Sequence, residues 1–166
     1  MHIRLQKATI RQAPALHALR LAVAEDLTSR FGKGAWSTAG TVKGVLYAMR
    51  TSSVFVARDK NNVIATLTFC TKKPWAIDPK YFTPCNKPLY LVGMAVEPKL
   101  QRTGIGRRCM DQAIGLAKQW PADAIRLDSY DAAAGAGEFY RKCGFQEVGR
   151  GAYRNCPLTY YEMLLG

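Results

Sequence analysis

The stretch from Glu97 to Arg108 holds the residues whose types and spacing best suit the binding of an anion. It reads Glu-Pro-Lys-Leu-Gln-Arg-Thr-Gly-Ile-Gly-Arg-Arg, between an apolar run and a segment with helical periodicity. Its two glycines would let the backbone approach a ligand closely, and the unpaired N–H groups of a helix start would face an anion such as a pyrophosphate. The glycines would equally serve a tight turn. Neither a Walker loop nor a dinucleotide fingerprint matches, because no G-K-[ST] follows and a third glycine is missing at its usual spacing.

The elements around this loop predict one mixed α/β domain over residues 1–166. Apolar periodicity predicts strands at 2–10, 54–57, 63–69, 89–96, 125–130, 145–150 and 158–165, and helices from near Pro14, after residue 38, after Gly106 and over 135–143. Ser37 or Thr38 is expected to cap the second helix. The proline-rich and aromatic stretch from Lys72 to Pro88 is expected to be a structured loop.

The apolar run at residues 89–96 is expected to be a central strand that is covered on both faces. Gly93 inside this run indicates a bulge. The predicted order is strand, helix, helix, three strands, helix, strand, helix and two strands, which gives a mixed sheet with helices on its faces.

The composition restricts the partners and the compartment. The net charge of +12, from 24 Lys and Arg against 12 Asp and Glu, would attract polyanions or an acidic ligand. The basic residues are dispersed and no aromatic–basic motif is present, so nucleic acid is disfavoured as the main partner. Five scattered cysteines and two histidines favour a reduced chain without a metal. No run suits a membrane span or a secretion signal, so we expect a cytoplasmic protein without a membrane partner.

Two motifs resemble the GNAT (GCN5-related) N-acetyltransferases. The stretch Met94-Ala95-Val96-Glu97-Pro98, followed by Gln101-Arg102-Thr103-Gly104-Ile105-Gly106, is similar to that family's coenzyme-binding signature [QR]-x-x-G-x-[GA]. Glu138-Phe139-Tyr140-Arg141-Lys142-Cys143-Gly144-Phe145 resembles its tyrosine-bearing helix. The motif match covers residues 89–150, and the similarity of element order covers essentially the whole chain.

The resemblance implies a GNAT fold, a mostly antiparallel mixed sheet that is splayed between the strands at 89–96 and 125–130, where the thioester of acetyl-CoA would lie. Met94, Ala95 and Val96 would pair through their backbone with the pantetheine arm. The pyrophosphate would be bound by the loop, whose implied contacts are Gln101, Arg102, Thr103, Gly104, Ile105, Gly106 and Arg107.

Asp128 is the candidate base that removes a proton from the incoming amine, which is protonated at neutral pH. Strand alternation places it on the same face as Arg126 and Tyr130. Some ribosomal-protein acetyltransferases of the family carry a base at the corresponding position. The alternative, equally supported by the sequence, is that Asp128 forms an ion pair with Arg126 or another cation. Glu25 and Asp26 are weaker alternatives.

Tyr140 is the residue to which the resemblance assigns both a coenzyme contact and the protonation of the departing thiolate. A core aromatic on an amphipathic helix is the alternative reading. One departure from the family is Ala133, which stands seven residues before Tyr140 where many relatives carry an asparagine that bonds the coenzyme. The small-residue segment 132–137 then either passes close to the pantetheine or forms a flexible helix start.

The sequence predicts an acetyl-CoA-dependent N-acetyltransferase whose acceptor is a primary amine of a small molecule or peptide. Trp36, Trp75, Tyr81 and Phe82 would line an acceptor pocket or pack on the core. A non-catalytic acyl-CoA-binding module and a basic nucleic-acid-associated protein are the alternatives. A homodimer is left open.

Overall fold

The computed structural model describes residues 2–166 and has an α/β fold. Its helices are α1 Ala13–Phe31, α2 Val42–Thr51, α3 Ile105–Gln119 and α4 Gly137–Lys142. Its strands are β1 Leu5–Lys7, β2 Ser53–Asp59, β3 Asn62–Cys70, β4 Pro88–Val96, β5 Ala124–Tyr130, β6 Gln146–Tyr153 and β7 Cys156–Leu164. The strand order is β1-β2-β3-β4-β5-β7-β6, with β4 and β5 parallel. The predicted order of elements and the mixed sheet are confirmed.

Two compact units divide the chain. The first unit comprises the chain up to Phe69 together with Gly93–Ala113, and the second unit comprises Cys70–Val92 with Ile114–Gly166. Strand β4 therefore contributes its first half to the second unit and its second half to the first. The single domain over residues 1–166 stays a prediction. Within residues 2–166, no helix combines the length and the apolar character that crossing a membrane would need.

The first unit is built on the β2–β3 hairpin, against which the two N-terminal helices pack. Buried side chains of α1, α2 and β2 form one cluster, which comprises Ala13, Leu16, Val45, Val54 and Val56. Helix α1 starts with Pro14 in its first turn, where the missing N–H costs nothing. The first strand is shorter than predicted, because a 3-10 turn at Ile10–Gln12 already leads into α1.

The start of α2 corrects the predicted helix cap. Ser37 ends a 3-10 turn, and Thr38 has extended backbone with φ −109°. The cap is Thr41, whose hydroxyl accepts a hydrogen bond of 3.0 Å from the Gly44 N–H. Gly40 adopts φ +66°, a conformation that side chains disfavour, and this turn delays the helix to Val42. The cap is therefore three to four residues later than the sequence predicts.

A buried polar network anchors the 72–88 loop of the second unit to its sheet. Glu162 on β7 lies opposite Arg126 on β5 and accepts from the Thr83 N–H at 2.9 Å and the Thr83 hydroxyl at 3.0 Å. Arg126 donates to the Thr83 carbonyl at 2.8 Å, and its guanidinium lies 5.2 Å from the centre of the Phe82 ring. The prediction of a structured loop is confirmed.

We expect Thr41→Ala to destabilise the protein by about 1 kcal/mol, the usual cost of losing an N-cap side chain. In a chain of this size that lowers the melting temperature by about 2–4 °C. Thr38→Ala is the matched control and should leave the melting temperature nearly unchanged. Equal losses for the two variants in thermal unfolding would contradict the observed cap.

Candidate functional site

The loop before α3 has the geometry of an anion-binding helix start. Arg102 has φ +63° and Gly104 has φ +92°, and a Cβ built at Gly104 would meet nothing within 4 Å. Arg108 donates its N–H to the Gly104 carbonyl at 3.1 Å. The N–H groups between them therefore have no acceptor one turn earlier in the helix, and they lie at the positive end of its dipole. This backbone fits a pyrophosphate.

The side chains of the loop mostly hold its shape. Gln101 donates from Nε2 to the Val96 carbonyl at 3.0 Å, and the Thr103 hydroxyl donates to the Leu100 carbonyl. Ile105 is buried and anchors the first turn of α3. These side chains are therefore engaged within the loop and the core, and the backbone N–H groups of residues 105–107 are left to face a ligand.

Arg107 is largely exposed and lies at the start of α3. Its Nε is 3.2 Å from Asp111 one turn further along the helix. A surface pair of this kind contributes little to stability. Arg107 places positive charge at the start of α3, beside the loop.

Strand β4 changes its environment at Gly93. The segment Leu89–Leu91 is buried, Gly93 is exposed with φ +62°, and Met94–Val96 is half-buried. Full coverage of both faces is therefore wrong for the second half of the strand. The positive φ interrupts the extended backbone, which agrees with the irregularity that the glycine predicted. Met94, Ala95 and Val96 keep part of their surface accessible.

Asp128 is half-buried on β5, directly opposite Tyr160 on β7. Burial raises the pKa of the Asp128 carboxyl above its ordinary value. A nearby cation would lower that pKa, and Arg126 is engaged with Thr83, Phe82 and the Tyr90 hydroxyl. The structure thus favours a desolvated carboxylate over the ion pair that the sequence left open.

Tyr140 on α4 is 9% exposed, and its ring packs in an aromatic cluster. The ring centres of Phe139, Phe145 and Tyr161 lie 5.4, 5.9 and 6.1 Å away. Burial raises the pKa of the Tyr140 phenol, and the charge of Asp128 raises it further. The phenol therefore keeps its proton at neutral pH and is a hydrogen-bond donor. The interaction also shows that these two residues lie within electrostatic range of each other.

The predicted site residues fall into two groups. Met94–Val96 and Gln101–Arg107 belong to the first unit, where the Gln101 side chain bonds the end of β4 directly. Asp128 and Tyr140 belong to the second unit. Among residues 2–166, no group of three or more His, Cys, Asp or Glu side chains could hold a metal ion.

The small-residue segment before α4 is packed against its own unit. Ser129 accepts the Ala136 N–H at 3.2 Å. A Cβ at Gly135 would lie 1.9 Å from the Tyr130 carbonyl oxygen, and one at Gly137 would lie 2.3 Å from the Tyr161 hydroxyl. These glycines therefore permit close packing on β5 and β7. Ala133 is exposed in the preceding turn, and its methyl group offers no hydrogen bond where relatives carry an asparagine.

The aromatic residues that the sequence offers for an acceptor pocket differ in burial and in surroundings. Phe82 is buried in the core, whereas Trp75 is 83% exposed and Tyr81 is half-buried. Trp75 and Tyr81 line a cavity of about 520 Å³ in the second unit, together with Tyr160. Trp36 donates its indole N–H to the Gly32 carbonyl at 2.8 Å.

Arg20 is a candidate functional residue that sequence reasoning missed. It lies on α1, and its guanidinium lies against Gly93. Helical periodicity did not single out Arg20, because a long polar side chain on a half-buried helix face has the same pattern as a solvent-exposed residue.

A family model described as the Acetyltransferase (GNAT) family matches residues 17–145. Among similar solved structures, an N-acetyltransferase from Staphylococcus aureus Mu50 is 16% identical over 99% of both chains, with a TM-score of 0.69. The ribosomal-protein-S18-alanine N-acetyltransferase from Escherichia coli is 14% identical, with 98% of this chain and 94% of that chain covered and a TM-score of 0.72. A protein from Salmonella typhimurium, determined with its cofactor acetyl-CoA, is 15% identical, with coverages of 100% and 95% and a TM-score of 0.73. None of the curated proteins matches the chain.

Asp128→Asn should stabilise the protein at neutral pH. Because the folded state raises the pKa of Asp128, folding stability is lost as the pH rises from the unfolded value of about 3.9 through the folded value. The neutral amide removes this cost, so the variant should melt higher at pH 7, by about 2–4 °C for each kcal/mol gained. The difference should shrink as the pH falls towards the unfolded value and vanish below it, where the carboxyl is protonated in both the folded and the unfolded state.

Thermal unfolding between pH 4 and pH 8 measures this effect. Asp111→Asn is the control, because Asp111 forms an exposed pair and its loss should change stability little. A lower melting temperature for Asp128→Asn at pH 7 would show that the carboxylate is paired with a cation.

Proposed function

Because the chain belongs to the GNAT family of acetyltransferases, we propose that it transfers an acetyl group from acetyl-CoA directly to a primary amine of a small molecule or peptide. The family match over residues 17–145 includes the loop, Asp128 and Tyr140. The observation that carries the proposal is the loop before α3, where the positive φ of Gly104 and an open helix start form an anion site in the family's coenzyme-binding motif.

The first unit supplies the residues that would bind acetyl-CoA. The N–H groups of residues 105–107 bond the pyrophosphate, and Arg102 and Arg107 add positive charge. Met94–Val96 bond the pantetheine arm through their backbone, as an added strand would. The half-buried state of this segment supports the assignment, because its surface is accessible. Acetyl-CoA supplies the activated acyl group.

Asp128 acts as the general base in the proposed mechanism. It accepts a proton from the ammonium group of the acceptor, and the free amine then attacks the thioester carbonyl. Its raised pKa makes it a stronger base than an ordinary carboxylate. Backbone N–H groups near Met94–Val96 stabilise the negative charge that develops on the carbonyl oxygen.

Tyr140 acts as the general acid. As the new C–N bond forms and the C–S bond breaks, the phenol donates its proton to the departing thiolate, and the second proton that the attacking nitrogen loses restores the phenol. Its raised pKa keeps the phenol protonated at neutral pH, so the O–H is present when the thiolate forms. The aromatic cluster around the ring fixes its orientation.

Acetyl-CoA should bind the wild type in the micromolar range, and Gly104→Glu should abolish this binding. The variant places a carboxylate where the pyrophosphate would lie, and charge repulsion opposes the ligand. Isothermal calorimetry measures the affinity. Gly32→Glu is the matched control, since Gly32 also has a positive φ, +82°, and open space at its Cβ position.

Equal binding by the two glutamate variants would contradict the role of the loop. A folded wild type that binds no acetyl-CoA would contradict the acyltransferase proposal. Salt-sensitive retention of DNA or RNA would then favour the nucleic-acid alternative.

Tyr140→Phe should lower kcat by roughly 100-fold with little change in acetyl-CoA affinity, because it removes the acid and keeps the ring. Release of the coenzyme thiol in the presence of a panel of amines measures the rate. Tyr161→Phe is the control from the same cluster, where the lost hydroxyl bonds Arg141 at 3.0 Å. Unchanged kcat in Tyr140→Phe would contradict the assignment of Tyr140 as the acid. A wild type that binds acetyl-CoA without any turnover would favour a non-catalytic acyl-CoA-binding module.

A further inference from the structure

Arg20 places its guanidinium against a glycine that has no side chain to exclude it. A Cβ built at Gly93 would lie 3.0 Å from Nη2, 3.5 Å from Cζ and 3.7 Å from Nη1 of Arg20. Any other residue at position 93 would therefore press on the guanidinium, and would also be strained at φ +62°. The exposed bend of β4 and the side chain of α1 thus form one local feature within the first unit.

Arg20 is half-buried and has no counter-ion within residues 2–166. Its Nε is buried and has no hydrogen-bond partner among residues 2–166. Burial lowers the pKa of Arg20, and no acidic group acts against this effect. The arginine stays charged nonetheless, because a guanidinium does not lose its proton in proteins. Leaving such a charge unpaired costs stability, so an anionic partner would be bound strongly.

Other arginines of the chain are paired in ways that Arg20 is not. Arg30 pairs with Asp26 and Arg107 with Asp111, each one helical turn away. Arg126 also has an unpartnered Nε, but its other nitrogens bond Thr83 and Tyr90.

The position of Arg20 relates it to the reaction. Gly93 directly precedes Met94–Val96, which the proposed function assigns to the pantetheine arm and the thioester carbonyl. The pyrophosphate is assigned to the loop before α3, so the coenzyme phosphates do not need Arg20. The remaining reactant is the amine acceptor.

We propose that Arg20 binds a carboxylate of the acceptor, so that the substrate is an amino acid or a close analogue with an amine and a free carboxylate together. The proposal rests on the proposed function and deepens it. A guanidinium suits this task because its planar fork can donate two parallel hydrogen bonds to one carboxylate. A peptide N-terminus or a simple alkylamine lacks that group next to its amine.

The test compares acceptors that differ only in the carboxylate. Each of several amino acids is assayed beside its amide and its decarboxylated amine, with acetyl-CoA and the full-length protein. For the wild type we expect kcat/KM to be roughly 10- to 100-fold higher for the free acid, as one strong charge-assisted pair would give. Arg20→Gln should remove this preference by lowering kcat/KM for the acid alone.

Three controls separate Arg20 from other causes. Arg11→Gln makes the same charge change at an exposed position and should keep the preference. Arg20→Lys keeps the positive charge but lacks the planar guanidinium, and it should keep part of the preference for the free acid. Calorimetry with acetyl-CoA should give the same affinity for Arg20→Gln and the wild type, and thermal melts show that the variant is folded.

A second readout does not depend on turnover. An N-acetylated amino acid, the product of the proposed reaction, should raise the melting temperature of the wild type and not that of Arg20→Gln. The amide of the same N-acetylated amino acid should raise the melting temperature of neither protein.

Several results would overturn the proposal. Equal use of acids and amides by an active wild type would refute the Arg20 assignment while leaving the proposed function intact. A parallel loss of acetyl-CoA affinity in Arg20→Gln would assign the arginine to the coenzyme. Faster transfer from succinyl-CoA that depends on Arg20 would place the carboxylate on the acyl chain. A wild type that binds acetyl-CoA and acetylates none of the amines refutes both proposals.

Discussion

The positive φ of Gly93 is the constraint on which most of the candidate chemistry depends. Before it, β4 is a buried strand that pairs in parallel with β5, and after it the strand is half-buried and continues towards the loop. The boundary between the two compact units falls between Val92 and Gly93. The same glycine gives Arg20 the clearance that it needs. One backbone conformation thus exposes Met94–Val96 and admits a cation beside it.

The buried polar groups of this protein differ in what surrounds them. Glu162, Thr83 and Arg126 exchange hydrogen bonds and hold a proline-rich loop to the sheet, although one oxygen of Glu162 and the Nε of Arg126 are buried without a partner. Burial raises the pKa of Asp128 and lowers that of Arg20, and neither residue forms an ion pair within residues 2–166. Shifted pKa values of this kind cluster at functional sites, so these two residues are better candidates for the chemistry than the surface charge is.

The sequence predicts the fold well because its signals are local. Within residues 2–166, periodicity identifies the seven strands and four helices, and two short motifs locate the loop and Tyr140. What it misses depends on tertiary context. The delayed start of α2 follows from the backbone of Gly40, and Thr38 and Ser37, three and four residues before the cap, are equally good caps by composition. The direction in which the long side chain of Arg20 extends is set by packing around Gly93, and no residue pattern contains that information.

Arg20 restricts the proposed acceptor more than the surface charge does. Its Nε is buried and has no hydrogen-bond partner within residues 2–166, so a carboxylate that binds it would offset a cost that a simple amine leaves in place. In the proposed reaction the acetylated product loses its basic nitrogen and keeps its carboxylate. The ion pair with Arg20 would therefore persist after transfer, and the release of the product would depend on how strongly that single pair holds.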